Sequence, residues 1–185
     1  HGLRATTDVV VVSDHGMAPV RPDQYIALED MATIEQAEAV STGQVIGFNP
    51  RAGHKADAER RLLGRHDHYT CWRKQDLPTR WHYGTHPRVP AIVCQFDEGW
   101  NGLPAAQLRR VPQEKLNRGS HGYDNALSSM RAVFIAAGPS FRRGTTLPAF
   151  DNVDVYPLLA ELLGLAPARN DGTADTFAPV LAPRA

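Results

Sequence analysis

Residues 8–17, DVVVVSDHGM, constrain this chain more than any other stretch: an apolar run from Val9 to Val12 passes through Ser13 directly into Asp14, His15 and Gly16. Unbroken β-branched residues without polar alternation predict a strand buried on both faces, as in mostly parallel sheets covered by helices. In open α/β sheets functional side chains gather in the crevice beyond the carboxyl ends of the strands, and Asp14 and His15 stand at that end. A carboxylate beside a neutral imidazole suits Zn2+ better than Mg2+ or Ca2+, and a turn at Gly16 lets the two converge on one cation. The same letters also fit a turn capped by Asp14 with His15 packed against it. Ser13, Asp14 and His15 are the residue types of a nucleophilic relay, but consecutive side chains cannot form one, because its members must come from different segments.

The rest of the chain alternates strands and helices. Strands are predicted over 43–50, closed by Asn49-Pro50, over 90–96, and over 130–139, stopped by Gly138-Pro139. A short turn-and-helix segment is expected over 23–30, a helix over 54–66 ending at Gly64, and an extended stretch after His68. The last helix is placed by Asp154 as a cap, Pro157 in the first turn, apolar residues at 155, 158, 159, 162 and 163, and Gly164 at its end. This order predicts one α/β domain over residues 1–185 with a mostly parallel central sheet flanked by helices and no dividing linker. HGLRATT at the start resembles a helix exit around Gly2 without its helix, so the chain is expected to begin partway through a fold.

Lys plus Arg equals Asp plus Glu, 20 each, so no basic face predicts nucleic acid or an anionic membrane as partner, and an anionic substrate would have to be held locally. No apolar run is long enough to span a bilayer. Cys71 and Cys94 lack zinc-site spacing and are expected to be free, buried thiols. His121, in SHGYDN, lies between Ser120 and Gly122, which permit close backbone approach to a ligand, with Asp124-Asn125 supplying turn groups. On its own it fits a surface loop equally well. The HDH of His66 and His68 could bind metal but is expected as a solvated loop, with His54, His82 and His86 as surface or packing residues. In RKQDLPTRWHYGTHPRVP, Trp81 and Tyr83 are expected to cover the core edge, while an arginine from it could reach a substrate phosphate; Trp72 and Trp100 read as packing.

VVVVSDHGM, HPRVPAIVCQFDEGW, HGYDNALSSMRAVFIAAGPSFRRG and LPAFDNVDVYPLLAELLGLAPARNDGT together resemble, in order, the C-terminal half of nucleotide pyrophosphatase/phosphodiesterases of the alkaline phosphatase superfamily. The resemblance implies an alkaline-phosphatase-like α/β fold, present here as a partial domain, and a site with two Zn2+ ions. Asp14 and His15 would hold one zinc together with an aspartate and a threonine nucleophile. His121 would hold the other beside an Asp and a His from an earlier Asp-x-x-x-His segment. Two cations about 4 Å apart can lower the pKa of an attacking hydroxyl and clamp phosphoryl oxygens. In such enzymes the threonine precedes the Asp-His-Gly motif, and no strand stands before Thr6 or Thr7 to present either as nucleophile. The chain alone is therefore expected to be inactive and to be completed by the N-terminal half of the same protein as a packed companion fragment. The implied reaction is hydrolysis of phosphodiester or phosphoanhydride bonds, nucleotides releasing a nucleoside 5'-monophosphate, in a periplasmic or secreted protein. A phosphomonoesterase or phosphomutase of the superfamily would use the same three ligands, whereas in a non-catalytic α/β module they would be structural or bind one adventitious metal.

Overall fold

A computed structural model describes residues 3–183, so the helix exit expected around Gly2 lies outside the described residues. The elements run β1 (Val9–Val12), β2 (Ala18–Pro19), β3 (Tyr25–Ala27), α1 (Leu28–Met31), β4 (Ala37–Ala39), β5 (Val45–Pro50), α2 (Lys55–Leu62), β6 (Gly64–Arg65), β7 (Tyr69–Arg73), β8 (Ile92–Phe96), β9 (Asn101–Leu103), α3 (Ala105–Arg110), β10 (Gly119–Ser120), β11 (Phe134–Ala137) and α4 (Val155–Leu162). They sort into two compact units, residues 1–14 with 132–185, and residues 15–131. Among the described residues no helix is long and apolar enough to cross a membrane.

The unit made of both chain ends is built on a ribbon. β1 pairs antiparallel with β11, Val9 opposite Ala137 and Val12 opposite Phe134. Ser13 prolongs the pairing: its N–H donates to the Val133 carbonyl at 3.0 Å and its Oγ accepts from the Val133 N–H at 2.8 Å. Directly opposed residues share a face. Phe134 turns into a core of Leu158, Phe177 and Val180, meeting Phe150 edge-on. On the other face Val9, Val11, Val133 and Ile135 are 54%, 53%, 54% and 59% exposed. The strand expected to be buried on both faces thus has one bare face, because within this unit a two-stranded ribbon has a packed layer on one side only. α4 shows the same thing: Val155, Pro157, Leu158 and Ala160 are buried, while Leu159 and Leu163 face out, a helix too apolar all round for a free surface. Asp154 stands at the N-cap position, as expected, but its side chain makes no capping hydrogen bond. Its carboxylate instead accepts from the Thr173 N–H at 2.9 Å and the Thr176 hydroxyl at 2.7 Å, tying the C-terminal segment to the start of the helix.

The second unit carries a five-stranded sheet, order β4-β5-β8-β7-β6, antiparallel throughout. Ile46, Phe48, Ile92 and Phe96 from the sheet close over Ala58 and Leu62, the i,i+4 pair on the inner stripe of α2. The α/β class holds, but parallel pairing among the described strands is confined to β3–β9. The pairs β4–β5 and β6–β7 are joined by turns too short for the crossover of about a dozen residues that a parallel pair needs.

Cys71 and Cys94 are a correction: they are disulfide-bonded, not free thiols. The β7–β8 register sets them directly opposite each other, which their separation of 23 residues does not reveal. Both are buried. A cross-link closing a loop of that size stabilises by about 2–4 kcal/mol, chiefly by restricting the unfolded chain. The native protein should therefore show no alkylatable thiol, and reductant should lower its stability by about that amount in denaturant unfolding; labelling of either cysteine without reductant would contradict the pairing.

Candidate metal centre

β2 and β10 are two residues each, yet their register decides the site. Ser120 lies opposite Ala18 and Gly119 opposite Pro19. In an antiparallel pair the chain entering one strand emerges beside the chain leaving the other, so His15 and His121 come out at the same end. Their imidazoles stack, centroids 3.7 Å apart and planes inclined by 10°. Gly16 permits the approach. Its N–H donates to the Met130 carbonyl at 3.1 Å, and a Cβ there would collide with the Ser129 carbonyl oxygen. Gly16 is not among the glycines with positive φ, so the position demands space rather than the special turn geometry expected.

His15 is half-buried and His121 exposed. The Nδ1 of His15 lies 2.7 Å from the Gly16 carbonyl oxygen. That oxygen can only accept, so Nδ1 carries the proton and Nε2 the lone pair, the arrangement by which backbone carbonyls orient metal-ligating histidines. Asp14 belongs to the other unit, where it is exposed and its backbone carbonyl accepts from Asn152 Nδ2 at 3.3 Å. Among the described residues no three or more His, Cys, Asp or Glu side chains gather as a metal would require. The structure thus brings His15 and His121 together, and imidazole is a donor that suits zinc and other transition metals.

The loop bearing His121 is anchored on several sides. Ser120 is buried and its Oγ accepts from Gln44 Nε2. Gln95 Nε2 donates to the Gly122 carbonyl at 3.4 Å. Tyr123 is buried, which raises its phenol pKa, and its hydroxyl lies 3.5 Å from Asn101 Oδ1. Arg80 donates from Nη1 to Asp124 Oδ1 at 2.6 Å and to Asn125 Oδ1 at 2.8 Å, and from Nη2 to Asp124 Oδ2. Asp124 also accepts from the Ala126 N–H at 2.9 Å, closing the turn its sequence suggests. Hydrogen bonding from Arg80 holds the Asp124 carboxyl below its ordinary range; Trp81 adds to this, although its buried indole nitrogen makes no hydrogen bond of acceptable geometry.

The remaining histidines and aromatics divide. His54, His82 and His86 are exposed, as expected. His66 and His68 are half-buried rather than solvated. The first stacks on Tyr69 and bonds the Leu62 carbonyl, the second stacks on Trp100 at 3.5 Å, and apolar ring faces rather than a metal account for both. Trp81 packs edge-on against Trp72 beside Leu77, Val89 and Val93, whereas Tyr83 is 51% exposed and does not cover the core edge. Arg80, Gln44 and Gln95 carry no motif, and their partners lie far along the chain, so nothing in the sequence marks them as anchors.

The profile described as "Type I phosphodiesterase / nucleotide pyrophosphatase" matches residues 1–124, more than half of the chain. The chain belongs to this family. It is 31% identical to human ectonucleotide pyrophosphatase/phosphodiesterase family member 5 over 91% of its length, covering 34% of that protein. It is 32% identical to the bis(5'-adenosyl)-triphosphatase of Xenopus laevis over 96% of its length, covering 37% of that protein. The solved structure of the human member 5 protein superposes with a TM-score of 0.85 at 30% identity, over 97% of this chain and 46% of that one. An inactive threonine-to-alanine variant of murine member 5, in complex with AMP, also gives a TM-score of 0.85, at 32% identity and with 46% of that chain covered. The chain thus spans between a third and a half of the length of these relatives, and its α/β fold is a partial version of theirs.

The Asp124 shift has a defined pH signature. A carboxyl with a depressed folded pKa contributes stability that is present above its ordinary value of 3.8 and lost as pH falls through the folded value. Asp124→Asn should therefore flatten the loss of stability below about pH 4 relative to the parent chain, read by denaturant unfolding across the acid range. Parallel curves for the two proteins would contradict the assignment.

Proposed function

We propose that the protein is a two-zinc hydrolase of phosphodiester and phosphoanhydride bonds that takes nucleotide substrates and releases a nucleoside 5'-monophosphate. The observation that carries this reading is the stacked His15–His121 pair, held at the shared end of β2 and β10 in a chain of this family. His15 with Asp14 would hold one Zn2+ and His121 the other. When bound, two such ions supply Lewis acidity to the phosphoryl oxygens and acidify an attacking hydroxyl. The chain's own part is to fix the tautomer of His15 through the Gly16 carbonyl and to hold the His121 loop against β2. The nucleophile is a threonine from a part of the catalytic domain outside residues 1–185. The inactive threonine-to-alanine variant of the murine relative, which holds AMP, supports that reading and the nucleotide substrate class.

Two features support the accompanying expectations. The bare face of Val9, Val11, Val133 and Ile135 fits a surface that the N-terminal portion of the same domain covers, since large contiguous apolar patches on soluble proteins mark contact sites. The buried Cys71–Cys94 disulfide favours an oxidising compartment, periplasmic or extracellular. Residues 1–185 alone should not turn over substrate. The intact protein should bind two zinc ions and hydrolyse bis(p-nitrophenyl) phosphate and dinucleoside polyphosphates. His15→Ala and His121→Ala should each remove about one zinc and lower kcat/KM by at least about a hundredfold, in line with loss of a metal-site group. Fewer than one tightly bound zinc per intact molecule, or undiminished turnover in His121→Ala, would overturn the proposal.

A further inference from the structure

Arg80 does more in this fold than a surface arginine needs to. It sits in the single turn Thr79–Trp81, which is fixed from beneath: Trp81 packs with Trp72, Leu77, Val89 and Val93, and its N–H donates to the Pro78 carbonyl at 3.0 Å. The turn closes on His82 at a φ of 47°, a left-handed conformation uncommon for residues with a Cβ but more accessible to histidine than to most. From this rigid base the guanidinium lies 5.6 Å over the Trp81 ring and forks onto both oxygens of Asp124, with a third acceptor in Asn125 Oδ1. Gln44 and Gln95 hold the loop at Ser120 and Gly122, and the Arg80 fork holds it beyond Tyr123. His121 lies between these anchors.

We infer that Arg80 is a positioning residue that sets the placement of the His121 imidazole by clamping Asp124 and Asn125. The inference rests on the reading of His121 as a zinc ligand made above. A lysine would keep the charge but not the fork, so charge alone should not suffice. An ion pair whose arginine side chain is 48% exposed contributes only modestly to stability, whereas groups that orient a metal ligand affect affinity by about 10–100-fold. Positioning and stability are therefore separable.

The test uses the intact protein with zinc alone as the probe, comparing wild type, Arg80→Ala, Arg80→Lys, His121→Ala and the Arg80→Ala/His121→Ala double variant. Arg80→Ala should weaken the His121-dependent zinc about 10–100-fold while the other zinc holds and the unfolding midpoint falls only slightly. Arg80→Lys should not restore it, and in the His121→Ala background Arg80→Ala should have no further effect. In metal-free protein the ring-proton shifts of His121 that report stacking on His15 should relax in both Arg80 variants. Unchanged zinc affinity and unchanged ring shifts in Arg80→Ala would overturn the inference, as would an additive loss in the double variant. A raised KM with zinc affinity unchanged would also overturn it, by making Arg80 a substrate contact. If His121→Ala leaves zinc binding intact, the metal assignment fails, and the metal-free ring shifts still decide the positioning role.

Discussion

Two residues of backbone pairing, Ala18 against Ser120, hold the two histidines beside each other. A ladder that short has no stability of its own. It persists because its surroundings close on it: Ala18 and Ser120 are buried, the Val20 N–H donates to the Arg118 carbonyl at 2.9 Å, and Gly16 is bonded to Met130. The site geometry is thus inherited from the packing of the whole second unit. This lets two exposed or half-exposed imidazoles keep a fixed relation without a rigid element beneath either of them.

The balance of polar and apolar groups follows the same logic. A chain with equal numbers of acids and bases has no net charge with which to draw in an anion, so any attraction for one would come from local groups. Around the His121 loop Arg80 pairs with Asp124, and the neutral amides of Gln44 and Gln95 donate to a hydroxyl and a backbone carbonyl. At the end of β2 and β10 stand two imidazoles, His15 and His121, side chains of a type able to ligate transition metals.

The sequence exposes much of this and conceals a definable part. Helix α2 was legible from its polar-apolar period and the Gly64 breaker, although it closes at Leu62, and α4 from Pro157 and its apolar stripe, because helical period and breakers are local signals. His15 and His121 were legible because a motif names them. What was hidden depends on register and on distant partners. The Val9–Val12 run says "buried" but not by what, so its bare face could not be foreseen. Asp154 has the residue type of a cap, yet Thr173 and Thr176 claim its carboxylate. Arg80 looks like any arginine in a polar connection until Asp124 is folded against it.

The Cys71–Cys94 bond can be viewed as a lock on strand alignment. Side chains alternate along a strand, so a slip of one residue between β7 and β8 would turn Gln95 to the opposite face of the sheet. That same Gln95 reaches the Gly122 carbonyl beside His121. A covalent tie one position away, made at the alignment in which the two sulfurs meet, is incompatible with the slipped sheets. The fidelity of the histidine pair is in this sense written into a bond that never touches it.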